Sequence, residues 1–228
     1  MLVILLLHDA TLSHSRTFFL GFLFPWEGIS HIGSHSAGAI SVAIDMVHRD
    51  KDNQFPTLRA HDHRFNFTWA DTSCKQSNGL PLLLEMYYNG VNNNQTVDAF
   101  IGPVCSVICE PAGHLITYWK IPIVSWGCTS SVLSDKSVYP TFARTTAPNA
   151  RSAMIFSEIL LTKEYKHVTI FSSQERVWTL TAASLRGKFK DVGIEVTAFH
   201  AFHAETPVGT ESRIQELKNA RGKSRGEF

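Results

Sequence analysis

Phe100–Cys128 reads FIGPVCSVICEPAGHLITYWKIPIVSWGC, and its punctuation decides the fold. An apolar run, Val97–Ile101, stops at Gly102-Pro103. A helical pattern follows with two cysteines in it, and after Lys120 a second apolar run, Ile121–Trp126, ends at Gly127-Cys128. Short apolar strands alternating with a helix predict a βαβ unit of a parallel sheet. Cysteines crowd where the first strand hands over to its helix, and another stands where the next strand ends. Both places lie on the carboxyl edge of such a sheet, where ligands bind. Disulfides there point to an exported binding domain.

The same rhythm extends outward in both directions. Thr17–Phe24 predicts a buried first strand, and Gly33–Arg49 a helix with Ala39, Ile40, Ala43, Ile44 and Val47 on one face. Leu58–Trp69 alternates in its second half, which puts Phe65, Phe67 and Trp69 on one side of a second strand. Leu80–Tyr88 is a second helix, and a helix over Ser106–Trp119 completes four βα-like units with the strands already named. Ser134–Asn149 breaks the period and predicts a loop, a short strand and a crossover. Asn149 is positioned to cap a helix running to Lys163. Strand His167–Ser172, helix Leu180–Lys190, strand Glu195–Phe202 and a polar helix Ser212–Asn219 follow. A two-sided parallel sheet cannot close on so few elements. The expected organisation is a signal segment over residues 1–16, a complete first lobe over 17–145 and a partial second lobe with a polar tail over 146–228.

Composition narrows the function classes. With 228 residues, 44% hydrophobic and 18% charged, the chain is globular, and a formal charge of +1 offers no nucleic-acid surface. Residues 1–7, MLVILLL, are too short to span a bilayer but form a signal-peptide core, with Ser13 and Ser15 as a small-x-small cleavage site. Four cysteines and two sequons, Asn66-Phe67-Thr68 and Asn94-Gln95-Thr96, suit an oxidising, glycosylating compartment. Asn94, in the polar run NNNQT, is the stronger glycosylation candidate; Asn66 falls inside a strand pattern.

Catalytic and metal motifs are missing from the pattern. Gly33–Gly38 has P-loop glycine spacing, but Ala39 and Ile40 stand where Lys and Ser/Thr would grip phosphate and magnesium. No GxGxxG follows a strand and no CxxC occurs. The close histidine pairs (His31/His35, His61/His63, His200/His203) bring no further ligand with them. No enzyme activity, metal or cofactor is expected. Four cysteines permit three pairings. Bridging Cys105 to Cys109 would strain a helix start. With strands ordered 2-1-3-4, Cys74 after strand 2 reaches across strand 1 to Cys105, and Cys128 lies beside the first turn that carries Cys109. The predicted pairs are Cys74–Cys105 and Cys109–Cys128.

Gly102-Pro103-Val104-Cys105, with Trp119 fourteen residues on, resembles the G-P-x-C…H-W signature of natriuretic-peptide-type receptors. Cys109 and Ser125-Trp126-Gly127-Cys128 are more similar to other receptor guanylate cyclases. Thr17–Trp26, Ala37–Asp50 and Tyr139–Asn149 also resemble that ligand-binding region, so the likeness runs over residues 17–216. It implies an α/β fold of the type I periplasmic-binding-protein-like kind, a two-lobed parallel-sheet sandwich. It implies an extracellular, dimeric sensor standing ahead of one membrane span, a kinase-like domain and a cyclase domain. The membrane would be met only through a span beyond this chain. Val104-Cys105 replaces the Gly-Cys pair beside which natriuretic-type relatives hold a chloride, so no chloride is expected.

On that fold the ligand cleft is expected at Trp26, Glu27, Ser106, Trp126 and Thr129, with a hinge near Arg144, and its ligand is a peptide or another small extracellular molecule. The alternative on the same fold is an amino-acid or small-solute binder of the class C G-protein-coupled or solute-binding type, using Ser106, Ser125 and Thr129. A further alternative is an inactive partial gene product.

Overall fold

The computed structural model describes residues 15–26, 32–51, 53–93, 95–202 and Lys218. It divides into two compact units: Met1–Trp126 with Thr141–Ala143, and Gly127–Pro140 with Arg144–Phe228. This division interleaves around residues 141–144, where the sequence reading expected one boundary at 145.

The first unit carries β1 (Thr17–Phe24), α1 (Ile32–Arg49), α2 (Pro56–Ala60), β2 (Arg64–Asp71), α3 (Gln76–Asn92), β3 (Ala99–Ile101), α4 (Ser106–Trp119) and β4 (Ile123–Ser125). With β5 (Phe142–Arg144) they form a five-stranded sheet in the order β2-β1-β3-β4-β5. β1 pairs in parallel with β2 along its whole length and with β3 from Leu20 to Phe22. Every second residue of β1 faces one way. Phe22 and Phe24 therefore share a face, packed with Val104 against Ile40 and Ile44 of α1. The opposite face is closed by Phe100 over Gly21, where a Cβ would stand 2.7 Å from the Phe100 ring. α4 buries Ile108, Cys109, Ala112, Gly113 and Ile116, the stripe that a 3.6-residue period puts on one side.

Several boundaries differ from the sequence reading, each for a local reason. The front of Leu58–Trp69 is helical, because Pro56 occupies the first turn of α2, where its missing N–H costs nothing. α3 begins at Gln76, four residues ahead of Leu80; its first turn is polar and exposed and so carries no apolar period. β3 is shorter than Val97–Ile101. The carboxylate of Asp98 accepts the Phe19 amide at 2.8 Å and pairs with Arg16, taking the place of a ladder bond. β4 is shorter too, since Pro122 has no N–H to give, although its carbonyl accepts from Phe100.

The second unit holds α5 (Ser152–Thr162), β6 (His167–Ser173), α6 (Arg176–Asp191) and β7 (Glu195–Phe202), with β6 and β7 parallel. Ile170, Ala182, Phe189 and Ile194 form its core, with Leu160 and Val196 against them. Asn149 does not cap α5. It opens a 3-10 turn, Asn149–Arg151, its carbonyl accepts from Ser152 Oγ at 2.5 Å, and neither that turn nor α5 has a side-chain cap. The expected helix Ser212–Asn219, apart from Lys218, and the signal segment, apart from Ser15 and Arg16, lie outside the described residues.

Two imidazoles secure the start of the β1–β2 pair. His63 Nδ1 accepts the Arg16 amide at 3.1 Å, and His48 Nε2 accepts the Phe65 amide at 2.8 Å. His63 is buried, with its ring edge-on to Phe18. Burial first, then the neighbouring His61 and Arg16, push its pKa below the ordinary imidazole value, against a smaller upward pull from Asp62. The unfolded chain therefore binds the proton more readily, and acid favours unfolding. Stability should be fully present above the unfolded imidazole pKa of about 6.5 and be lost as pH falls from there through the folded value. His63→Asn, whose Oδ1 can replace Nδ1 as acceptor, should flatten that part of a melting-temperature-against-pH profile; an unchanged slope would remove His63 as its source. Cys74 and Cys105 are joined across a separation of 31 residues. Replacing both with alanine should cost roughly 3–4 kcal/mol on a chain-entropy estimate, read from denaturant midpoints.

Candidate functional site

Parallel strands deliver their chain reversals to one edge, so the carboxyl ends of β1, β2, β3 and β4 converge there. At the end of β2, Asp71 organises the turn. Its Oδ1 accepts the amides of Trp26, at 2.7 Å, and of Ser73, at 2.8 Å, and its Oδ2 accepts from Ser73 Oγ at 3.3 Å. A carboxylate that bonds the amide two residues on is an Asx turn, which tolerates left-handed backbone. Ser73 and Cys74 take φ of 47° and 55°. That turn brings the Cys74 Cα to 5.5 Å from that of Cys105, ordinary disulfide reach.

The same carboxylate pins Trp26 beside Trp69. Their ring centres are 5.7 Å apart, and Phe24 stacks on Trp69 at 5.8 Å and 12°. Trp26 is 39% and Trp69 53% exposed, so the ends of β1 and β2 present an open aromatic ledge. Flat, rigid rings offer large contact area at small entropic cost, which suits recognition of a ligand. Thr72, next after Asp71, is fully buried, and its hydroxyl meets no partner among the described residues.

The other expected site residues divide between two roles. Ser106 is the first residue of α4, buried directly behind the Cys74–Cys105 bridge. Trp126 packs on the Phe22–Phe24–Val104 cluster and serves the core of the first unit. Val104 is buried in that cluster. Ser125 is fully buried and donates its hydroxyl to the Pro103 carbonyl at 2.6 Å. Cys109 and Cys128 are both disulfide-bonded, and no cysteine is free. The second unit holds Thr129 and Arg144. The Thr129 carbonyl accepts the Asn149 amide at 2.9 Å. The Arg144 guanidinium donates to the carbonyls of Cys128 and Ser130, at 2.9 and 2.8 Å, and to Ser134 Oγ at 2.5 Å. Burial, and then Arg151, lower its pKa. Arg144 thus fastens the 128–134 loop with donors that point into the protein. Glu27 and Asn94 lie outside the described residues.

The structure therefore gathers Trp26, Ser106 and Trp126 at one sheet edge and places Thr129 and Arg144 in the second unit. Sequence reading missed Trp69 and Asp71. The signal for Asp71 was there, since an Asp with Ser two residues on, just after a strand, predicts an Asx turn. Trp69 was taken only as a strand residue. Among the described residues no group of three His, Cys, Asp or Glu side chains could hold a metal.

Comparison with known proteins agrees with this edge-built architecture. The family profile described as receptor family ligand binding region matches residues 35–223, more than half of the chain. Retinal guanylyl cyclase 2 of Mus musculus is 27% identical over 164 residues, covering 70% of this chain and 13% of that protein. The resact receptor of Arbacia punctulata is 30% identical over 146 residues, covering 63% of this chain and 13% of that protein. Gamma-aminobutyric acid type B receptor subunit 1 of Mus musculus is 24% identical over 200 residues, covering 86% of this chain and 19% of that protein. The chain spans less than a fifth of each of these relatives. With its parallel five-stranded sheet flanked by helices, the chain belongs to the family of receptor ligand-binding regions, a periplasmic-binding-protein-like family.

Proposed function

We propose that this chain is the extracellular ligand-sensing region of a receptor guanylate cyclase. It works as a homodimer, itself catalyses nothing, and passes ligand binding on as a change of lobe or protomer orientation. The observation that carries this reading is the family match over residues 35–223 together with guanylyl cyclase relatives that align over most of the chain. The disulfide at the carboxyl edge supports an oxidising, extracellular setting. The ligand is an extracellular peptide or small molecule that lays an apolar or aromatic group on Trp26 and Trp69, with Glu27, Ser106 and Thr129 nearby in sequence to the same strand ends. Asn66 and Asn94 carry N-linked glycans.

One observation favours a second reading, an amino-acid-binding region of the class C receptor type: the GABA-B subunit aligns over 86% of the chain. Against it, Ser125, which such a site would use, already spends its hydroxyl on the Pro103 carbonyl.

The transcript should separate the two. Reading it past the codon for Phe228 is expected to give one apolar span and then a cyclase domain, whereas seven spans would establish the second reading. In cells carrying the full receptor, peptide and amino-acid panels serve as probes with cyclic GMP as readout. Trp26→Ala combined with Trp69→Ala should weaken the response to the activating probe by at least about tenfold at unchanged surface level, the loss typical of a buried aromatic anchor. An unaltered response would move the ligand site off the ledge.

A further inference from the structure

β2 is an outer strand of the sheet, and side chains take up part of the hydrogen bonding along its free edge. The amides of Arg64 and Thr72 donate inward, to the Arg16 and Phe24 carbonyls. Alternation turns those of Phe65, Phe67 and Trp69 outward. His48 takes the Phe65 amide, and Asn66 Oδ1 takes the Phe67 amide at 2.8 Å. Between this edge and α3 runs a groove of about 400 Å³, within the range of pockets that hold small molecules. Its lining is mixed: Asn66 and Thr68 on the strand and Asn89, Asn93 and Gln95 give an amide-bearing rim, and the apolar part includes Phe19, Met86, Phe67 and Trp69.

One sequon opens onto that groove. Asn66 and Thr68 line it directly, and Asn66 through Thr68 are all exposed. Asn93 and Gln95, the chain neighbours of Asn94, line its other side. A strand interior is a poor place for a glycan when both strand faces are buried. Here the strand is at the edge and its sequon faces a groove of mixed polar and apolar lining. The sequence reading, which preferred Asn94, had no means of seeing that Asn66 stands on a free edge.

We infer that the groove is a glycan seat: an N-linked oligosaccharide on Asn66 lies in it and shields the open edge of β2. The donor is a lipid-pyrophosphate-linked oligosaccharide. A bond forms between Asn66 Nδ2 and C1 of the first N-acetylglucosamine, the C1–O bond to the pyrophosphate breaks, and Nδ2 gives up one proton without redox change. Oδ1 remains an acceptor, so the Phe67 amide keeps its partner. The sugar's hydroxyls meet the amide-bearing rim, and its apolar face meets the apolar part of the lining. An exposed sheet edge invites pairing with another chain, and a bulky polar cover prevents it. The inference rests on the extracellular reading for its setting but not on any ligand.

The test is made on the full chain, secreted from mammalian cells behind a heterologous signal so that occupancy does not depend on its own first residues. Enzymatic release of N-glycans converts an occupied Asn to Asp, and peptide mapping should find that conversion at Asn66. Hydrogen exchange at the Phe67 and Trp69 amides should then quicken several-fold on deglycosylation of the folded protein, and likewise in Thr68→Ala, which removes the sequon but keeps Asn66. The Cys74–Cys105 bridge in the peptide map reports that each form is folded. A translocated chain with Asn66 unmodified overturns the inference, as does an occupied Asn66 whose edge amides exchange at the same rate with and without glycan. If the heterologous signal yields occupancy and the chain's own first residues yield none at either sequon, it is the extracellular reading that fails.

Discussion

The first unit depends on how closely the end of β3 approaches β1. At Gly102 the backbone has φ of 90°, and any side-chain carbon there would collide with the carbonyl of Leu23. Only glycine meets both demands without strain. Because the backbones come this close, the Gly102 amide reaches the Val124 carbonyl and the Pro103 carbonyl turns to Ser125 Oγ. Val104 falls into the Phe22–Phe24 cluster, and Cys105 arrives opposite Cys74. One tight approach thus sets the sheet pairing, the core of one face and the bridge at the carboxyl edge.

Chemistry at that edge follows from the same arrangement. The turn after β2 is held by one carboxylate, Asp71, which also fixes the residue after β1. The aromatic ledge and the disulfide are therefore two ends of one hydrogen-bonded unit. This gives the ledge a rigid base, since the bridge ties β2's turn to the start of α4. The groove beside α3 is lined by Asn66 and Thr68 and also by Phe67 and Trp69, so it adjoins the ledge along the same strand.

The second unit illustrates what a sheet of two strands leaves open. α6 covers Ile170 and Val196 on one face. Met154, Ile155 and Phe156 of α5 and Phe199 of β7 stay exposed, although parallel strands are ordinarily covered on both faces. The tight clamp of Arg144 on the 128–134 loop contrasts with this looseness: three donated hydrogen bonds to two carbonyls and a hydroxyl hold a loop that also buries Leu133.

The sequence by itself determined the class of fold and most of its elements. β1, α4 and β7 begin and end where the pattern puts them, because each carries its period or its breakers within its own residues. Boundaries set by polar first turns or by side chains that replace ladder bonds, as at α3 and β3, were not legible, since hydrophobic period says nothing about them. The family was legible because glycine, proline and cysteine at the end of β3 answer to backbone constraints that leave few substitutes. The site was legible only in part. The strand-end position of the expected cleft follows from parallel topology, whereas sequence left Trp126 open between ligand group and core, and the structure packs it on the Phe22–Phe24–Val104 cluster. Which side chains remain exposed depends on pairings between residues far apart in the chain, such as Phe24 with Trp69 or Trp26 with Asp71. Only the tertiary structure decided that, because exposure is a property of what packs above a residue and not of the residue itself.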